Sequence, residues 1–309
     1  MRNLRSGRES RQPEIRQTER MRSRIRAGIV AAAIGAVVML AGCAADTPDS
    51  TGTAHSATPH SGVALPPTHA TVDYQLGGGY VPAAGVGGVA RDSTDEPAAG
   101  LYSICYVNGF QTQPADRERW LADDPDLVLQ GDGGPIIDEN WPDELIVDTS
   151  TADKRERIAA LMSDALDACA EKGFDAIEID NLDSYTRSEG RLTVDDALAL
   201  ASLYADTAHA AGLAIAQKNA AELGTRGRDA GFDFAVTEEC HRFDECAVYT
   251  DVYGAHVLDI EYTDDLRGDF ADVCADPQVP ASTILRDRDL TLPGDSDYAF
   301  EACGLTQSD

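Results

Sequence analysis

Acidic, amide and cationic side chains recur in this sequence at the ends of short apolar runs: Tyr106-Val-Asn108, Glu178-Ile-Asp180, Gln217-Lys-Asn219, Thr237-Glu-Glu239, Asp259-Ile-Glu-Tyr262 and Arg286. Gathered around one cleft, such a set has what cleavage of a glycosidic bond requires. One carboxylic acid protonates the leaving oxygen, while a carboxylate attacks the anomeric carbon or activates a water. Tyrosine rings offer platforms to sugar faces, and the remaining acids can bind hydroxyl or amino groups. The densest stretch is Gly173-Phe-Asp-Ala-Ile-Glu-Ile-Asp-Asn-Leu-Asp-Ser-Tyr185. A rival use of its Glu178, Asp180 and Asp183 is a calcium cage, which needs six or more oxygens.

Strands and helices must position these groups. In an extended run, alternate side chains face opposite ways. Ile177 and Ile179 therefore share one face, and Ala176, Glu178 and Asp180 the other. Before this strand, Asp153 to Lys172 places Ile158, Leu161, Met162, Ala165, Leu166 and Cys169 on one helical stripe, and Gly173 is a fitting stop. After it, Thr193-Val-Asp-Asp196 opens a second helix with a capping-box pattern, and Gly212 closes it. Helix, strand, helix is the order of a parallel α/β sheet. Candidate strands are Val72–Leu76, Val86–Arg91, Leu101–Tyr106, Ala176–Asp180, Ala214–Lys218, Phe234–Glu238, Val257–Glu261 and Ser282–Leu285, with an extra one at Leu145–Asp148. This pattern predicts a single TIM-type (β/α)8 barrel, whose function sits at the C-terminal ends of its strands. By strand parity, Asp180, Lys218, Glu238 and Glu261 are expected on the inward face.

The first 42 residues read as an export signal. They hold nine Arg followed by the apolar run Ala27 to Ala41, too short for a comfortable membrane span. The run ends in Leu40-Ala-Gly-Cys43, which is similar to the lipobox of bacterial lipoproteins and predicts lipidation of Cys43 and attachment to the outer face of the cell membrane. Met21 to Cys43 alone makes a complete signal of this kind, so Met21 is an alternative start. Residues 43–70 are rich in Thr, Ser, Pro, Ala and Gly and predict a flexible tether, leaving 71–309 for the barrel.

The chain carries a net −29, and removing the nine Arg and three Glu of residues 1–42 leaves 16 basic and 51 acidic residues, a net −35. Nucleic acid is a poor partner for such a field, and a cationic ligand is a good one. With Cys43 lipidated, six cysteines remain, an even number in an oxidising compartment. Cys240 and Cys246 bracket a short loop, and Cys274 with Cys303 would pin the C-terminal segment. If Tyr106 points inward, Cys105 points out toward the helix that carries Cys169. The cysteine spacings fit no zinc pattern.

The long Gly173–Tyr185 stretch, Gln217-Lys-Asn-Ala220, Phe232-Asp-Phe-Ala-Val-Thr-Glu-Glu-Cys240 and Leu258-Asp-Ile-Glu-Tyr262 together resemble glycoside hydrolase family 114, the endo-α-1,4-polygalactosaminidases. The resemblance runs from Asp73-Tyr-Gln-Leu-Gly77 to Ile284-Leu-Arg286. It implies cofactor-free and metal-free hydrolysis within a chain of α-1,4-linked galactosamine, a cationic polymer that gives the acidic surplus a rationale. The implied catalytic pair is Asp180 and Glu238. The family often has Gln where this chain has Glu239, and strand parity favours Glu238 over its neighbour. Asp180 is expected as a nucleophile kept ionised by Lys218, and Glu238 as an acid/base, with retention of configuration. Expected substrate contacts are Tyr74, Tyr106, Asp148, Asp183, Tyr185, Lys218, Asn219, Glu261, Tyr262 and Arg286. The alternative is a carbohydrate-binding lipoprotein on the same fold without turnover.

Overall fold

Period-two alternation with apolar residues on both faces requires a sheet covered on both sides. In the computed structural model, which describes residues 62–305, the sheet curls so that one face becomes an interior and the other carries helices. In chain order the elements are β1 (Val72–Tyr74), β2 (Gly88–Asp92), β3 (Tyr102–Asn108), α1 (Arg117–Asp123), a small hairpin of β4 (Gln130–Gly131) and β5 (Gly134–Pro135), and α2 (Ala152–Lys172). There follow β6 (Ala176–Asp180), α3 (Val194–Ala210), β7 (Ala214–Lys218), α4 (Thr225–Asp229), β8 (Phe234–Glu238), α5 (Cys246–Tyr253) and β9 (Val257–Tyr262). The last are α6 (Phe270–Ala275), β10 (Ile284–Arg286) and β11 (Phe300–Ala302). The strands β1-β2-β3-β6-β7-β8-β9-β10 run parallel in that order, and β11 pairs antiparallel with β10. This is the TIM-type α/β architecture expected, with every one of its parallel strands overlapping a run read from the sequence. Leu145–Asp148 is not one of them: Leu145, Ile146 and Val147 make only isolated bridges to Ile137, Gln111 and Val128 in the excursion between β3 and α2.

Local signals act where they were read. Thr193 and Asp196 form a reciprocal capping box at the start of α3, and α2 ends on Gly173 at φ 91°, in the left-handed region that glycine enters freely. Inside the curl, Ala176, Ala214, Ala216, Phe234, Val236, Leu258 and Ile260 form an apolar floor. Outside it, Cys105, Ile177, Ile179, Ile215 and Ala235 pack against α2, α3 and α5.

No ladder joins β1 to β10, and Arg286 bridges them instead. Its fully buried guanidinium donates to the carbonyl oxygens of Tyr74 on β1, Thr291 (3.0 Å) and Ala299 (2.9 Å), and it ion-pairs with Asp73 at 3.3 Å. Gly77 completes the seam, since a Cβ there would stand 2.2 Å from the Leu290 carbonyl oxygen.

The packed chain begins ahead of the boundary expected at residue 71. Val63 and Leu65 lie against the apolar floor, Tyr102 donates to the Ala64 carbonyl oxygen at 2.8 Å, and a ring nitrogen of His256 lies 3.1 Å from that of Pro66. Tyr102 and His256 stand at the N-terminal ends of their strands, so this segment plugs the pole opposite the strand C-termini. Two apolar side chains suffice to order a stretch whose composition read as tether. The expected signal, Cys43 and the tether's first part lie outside the described residues.

All three expected disulfides are bonded: Cys105–Cys169, Cys240–Cys246 and Cys274–Cys303. Loop-closure entropy makes them unequal, because they span 64, 6 and 29 residues of sequence. Replacing Cys105 and Cys169 by Ala should cost roughly 4 kcal/mol, against roughly 2 kcal/mol for Cys240 and Cys246. Urea unfolding of the two double variants at one pH checks the order.

Candidate active site

Register decides which side chains meet. Ile179 of β6 lies opposite Gln217 of β7, which sets Asp180 level with Lys218 on the neighbouring strand. Lys218 in turn lies opposite Val236, one inward position short of Glu238. The ammonium, on its flexible four-carbon stem, reaches both acids: Lys218 Nζ is 3.5 Å from Asp180 Oδ1 and 3.4 Å from Glu238 Oε2. The sum of these distances, 6.9 Å, caps the separation of the two oxygens. A third carboxylate, Glu178, sits beneath them with Oε1 3.0 Å from the same nitrogen.

Phenols complete the cluster. Tyr106 donates to Asp180 Oδ2 at 2.7 Å, Tyr74 to Glu178 Oε1 at 2.6 Å, and Tyr262 to Glu238 Oε1. Asn219 holds Glu238 at two points, donating to Oε2 at 3.3 Å and accepting from its backbone N–H at 2.8 Å. The residue after each of Asp180, Lys218 and Glu238 turns left-handed: Asn181 at φ 63°, Asn219 at 48° and Glu239 at 61°. Asparagine tolerates this region, whereas a glutamate there is strained and must be held. Arg288 supplies that hold, with Nη1 3.1 Å from Glu239 Oε2 and Nη2 2.7 Å from Oε1, while its guanidinium covers the Tyr262 ring at 4.3 Å.

The electrostatics follow from burial against one shared cation. Burial alone would raise Asp180, but the Lys218 charge, the Tyr106 hydroxyl, the Asn181 N–H and Arg187 together bring it below the usual aspartate range. Glu178 goes the other way: its complete burial outweighs Lys218 and Tyr74 and raises it. Lys218 is pushed well up, since Asp180, Glu238, Tyr74 and Glu178 overcome the cost of its own burial. Burial and the adjacent acids likewise raise Tyr106 and Tyr262, which stay protonated donors. Side chains of Asp180 and Glu238 remain 21% and 30% exposed, against 3% for Lys218 and 0% for Glu178, so of the three acids on Lys218 these two reach the mouth.

A carboxylate held ionised, a second one across a gap of less than 7 Å, and a buried cation between them form a glycosidase constellation. The comparisons with known proteins agree. The model of glycoside-hydrolase family GH114 matches residues 52–308. The chain belongs to glycoside hydrolase family 114. Among solved structures, it is similar to Ega3 of Aspergillus fumigatus, crystallised in complex with galactosamine, at 23% identity and a TM-score of 0.59, covering 81% of this chain and 100% of that one. The glycoside hydrolase domain of PelA from Pseudomonas aeruginosa matches at 14% identity and a TM-score of 0.48, covering 74% of this chain and 98% of that one. No curated protein sequence matches.

Several residues expected at the substrate make other contacts. Glu261 is the clear correction: Leu258, Ile260 and Tyr262 point into the curl, so Asp259 and Glu261 point outward. There Glu261 Oε1 accepts the His241 N–H at 2.8 Å and the Arg242 N–H at 3.4 Å, and Asp259 Oδ1 accepts the Cys240 N–H at 3.1 Å. Register sets Ile260, not Glu261, beside the inward Glu238. Arg286 is consumed by the seam. Asp148 pairs with Lys154 at the start of α2, away from the cluster. Asp183 pairs with Arg187 at 2.8 Å and Tyr185 donates to Glu222 at 2.5 Å, so both stand on the rim. Glu178, Asp180 and Asp183 therefore do not converge as a calcium cage. Among the described residues the one cluster of metal-ligating types is Cys240, Cys246 and Asp259, and its two sulfurs are bonded to each other. Tyr74, Lys218 and Tyr262 are buried, each in contact with an acid of the cluster.

Glu178 and Arg288, not among the expected contacts, join the cluster through Lys218 and Glu239. Parity already aimed Glu178 inward, but nothing in its spacing gave it the lysine as partner. Arg288 follows a strand of three residues, with no periodic pattern to aim it.

The outward pair gives a pH prediction. Burial raises both Asp259 and Glu261, and in Glu261 the neighbouring Asp259 charge adds to it. The folded state then binds more protons than the unfolded one from the ordinary glutamate range upward, so this pair lowers stability as pH rises through that window. Glu261→Gln keeps an acceptor for the His241 N–H and should flatten the loss. Thermal unfolding from pH 4 to 9 should show the variant gaining on wild type toward the alkaline end.

Proposed function

We propose that this protein is a retaining endo-glycosidase of α-1,4-linked galactosamine polymers, with Asp180 as nucleophile and Glu238 as acid/base. The observation that carries the reading is the convergence of these two acids, alone among the strand-end carboxylates, on both the mouth and the Lys218 ammonium. Their facing oxygens lie at most 6.9 Å apart, a bound compatible with the roughly 5–5.5 Å of a double-displacement pair. Glu239 is bound to Arg288 and takes no direct part. The acidic surplus and the galactosamine bound in Ega3 support a cationic amino-sugar substrate.

Asp180→Asn should abolish turnover while leaving polymer binding largely intact. Glu238→Gln should slow cleavage about 10²–10⁴-fold with poor leaving groups and least with good ones. Azide added to Glu238→Ala should restore activity and yield a glycosyl azide of the original configuration. Mass spectrometry of products from deacetylated and acetylated α-1,4-galactosaminan checks the substrate: internal cleavage of neither polymer would sink the reading, as would full activity in Asp180→Asn.

We further propose that the mature chain begins at a lipidated Cys43 and is displayed outside the cell membrane, a reading supported by the Leu40-Ala-Gly-Cys43 sequence. Cys43→Ala should release the protein from the membrane fraction or leave its signal uncleaved. Membrane association unchanged in a correctly cleaved variant would refute it.

A further inference from the structure

Lys218 faces more acceptors than it has protons. Around its ammonium stand Tyr74 from β1, Tyr106 from β3, Glu178 and Asp180 from β6, and Glu238 from β8. Its stem is buried and the nitrogen carries three N–H groups. Glu178 Oε1 at 3.0 Å and the Tyr74 hydroxyl oxygen at 3.1 Å are the two nearest acceptors. That hydroxyl is free to accept because its own proton goes to Glu178. One N–H is left for two carboxylates that lie almost equally far, Asp180 at 3.5 Å and Glu238 at 3.4 Å. The two are built alike: each gives its other oxygen to a phenol, Tyr106 or Tyr262.

The geometry points to a shuttling role for Lys218, whose third N–H alternates between Asp180 and Glu238 as negative charge passes between them, with Glu178 and Tyr74 as the fixed posts. This rests on the assignment of the catalytic pair made above. In the first step an Asp180 oxygen bonds to the anomeric carbon and the bond from that carbon to the glycosidic oxygen breaks. The released electron pair stays on that oxygen, which takes the Glu238 proton. The charge has moved from Asp180 to Glu238. In the second step Glu238 takes a proton from water, the water oxygen bonds to the anomeric carbon, and the bond to Asp180 breaks, returning the charge. A cation midway between the two acids stabilises both ends of this transfer while its own stem stays fixed.

Glu178 suits the role of post. It is fully buried, it shares its Oε1 between Lys218 and Tyr74, and its Oε2 has no hydrogen-bond partner among the described residues. It therefore pins the ammonium from below without reaching the mouth. Lys218 and Glu178 are accordingly positioning residues, acting on the sugar only through the two exposed acids.

The test separates the two steps with an α-galactosaminyl fluoride, whose leaving group needs no proton, so that kcat reports the second step. In Lys218→Met the acidic limb of kcat/KM, set by Asp180, should move up by at least one pH unit, and kcat should fall at least tenfold. The double variant Lys218→Met/Glu178→Gln removes both buried charges together, folds without an orphaned ion, and should show the same two changes. A moved limb with kcat unchanged would mean that Lys218 serves Asp180 alone and would overturn the shuttle, as would an unmoved limb. Asp180→Asn and Glu238→Gln, run alongside, keep the cases apart. If both turn over like wild type, the catalytic pair itself is wrong. If both are crippled while the lysine variants keep a wild-type profile, only the shuttle fails.

Discussion

An ammonium buried among acids is the constraint around which this barrel is arranged. A lone charge removed from water is costly, and the cost is offset only when partners surround it closely and are themselves hydrogen-bonded. Lys218 meets that condition with three carboxylates and a phenol oxygen, drawn from three strands. The lysine and its acids are thus interdependent. Removing the cation would leave Glu178 buried and unpaired, and breaking such a pair costs about 3–5 kcal/mol. The same arrangement separates two chemically similar acids. Asp180 has the cation, a phenol and a backbone N–H on its charged form, while Glu178, with no exposure, is left the more easily protonated.

Holding that cluster demands stiffness where the strands stop. The chain bends left-handed at Asn181, Asn219 and Glu239, the residues that follow the three chemically charged strand ends. These bends set side chains where a neighbouring strand end can be braced. Asn219 braces Glu238 by two hydrogen bonds, and Gln217, behind it, donates to the Asn219 and Ala220 carbonyl oxygens at 2.8 and 3.2 Å. At Glu239 the brace is the Arg288 fork, which also stacks on the ring of Tyr262, the donor to Glu238. The strained residue and the acid beside it therefore depend on the same arginine.

Much of this was legible in the sequence because strands carry a period. Alternation placed Asp180, Lys218 and Glu238 on one face, and Cys105 on the other, toward the helix that bears Cys169. Legibility ended where contacts are set by distance across the barrel rather than along the chain. Arg286 and Asp73 are 213 residues apart, and no local pattern marks them as the bond that spans β10 and β1. Glu261 was misplaced because alternation says which residues share a face but not which face turns inward, and Leu258, Ile260 and Tyr262 took the inward one. Val63 and Leu65 looked like tether because composition averages over a window, whereas two apolar side chains against a floor are enough to fix a path.

That path has a bearing on how the catalytic pole can be presented. The chain enters at Val63 to Pro66 beneath the floor, on the pole farthest from Asp180 and Glu238. The described chain therefore leaves the opposite pole, with its two exposed acids, uncovered. Tension applied at Gly62 would hold the barrel as a cup by its base, open side outward.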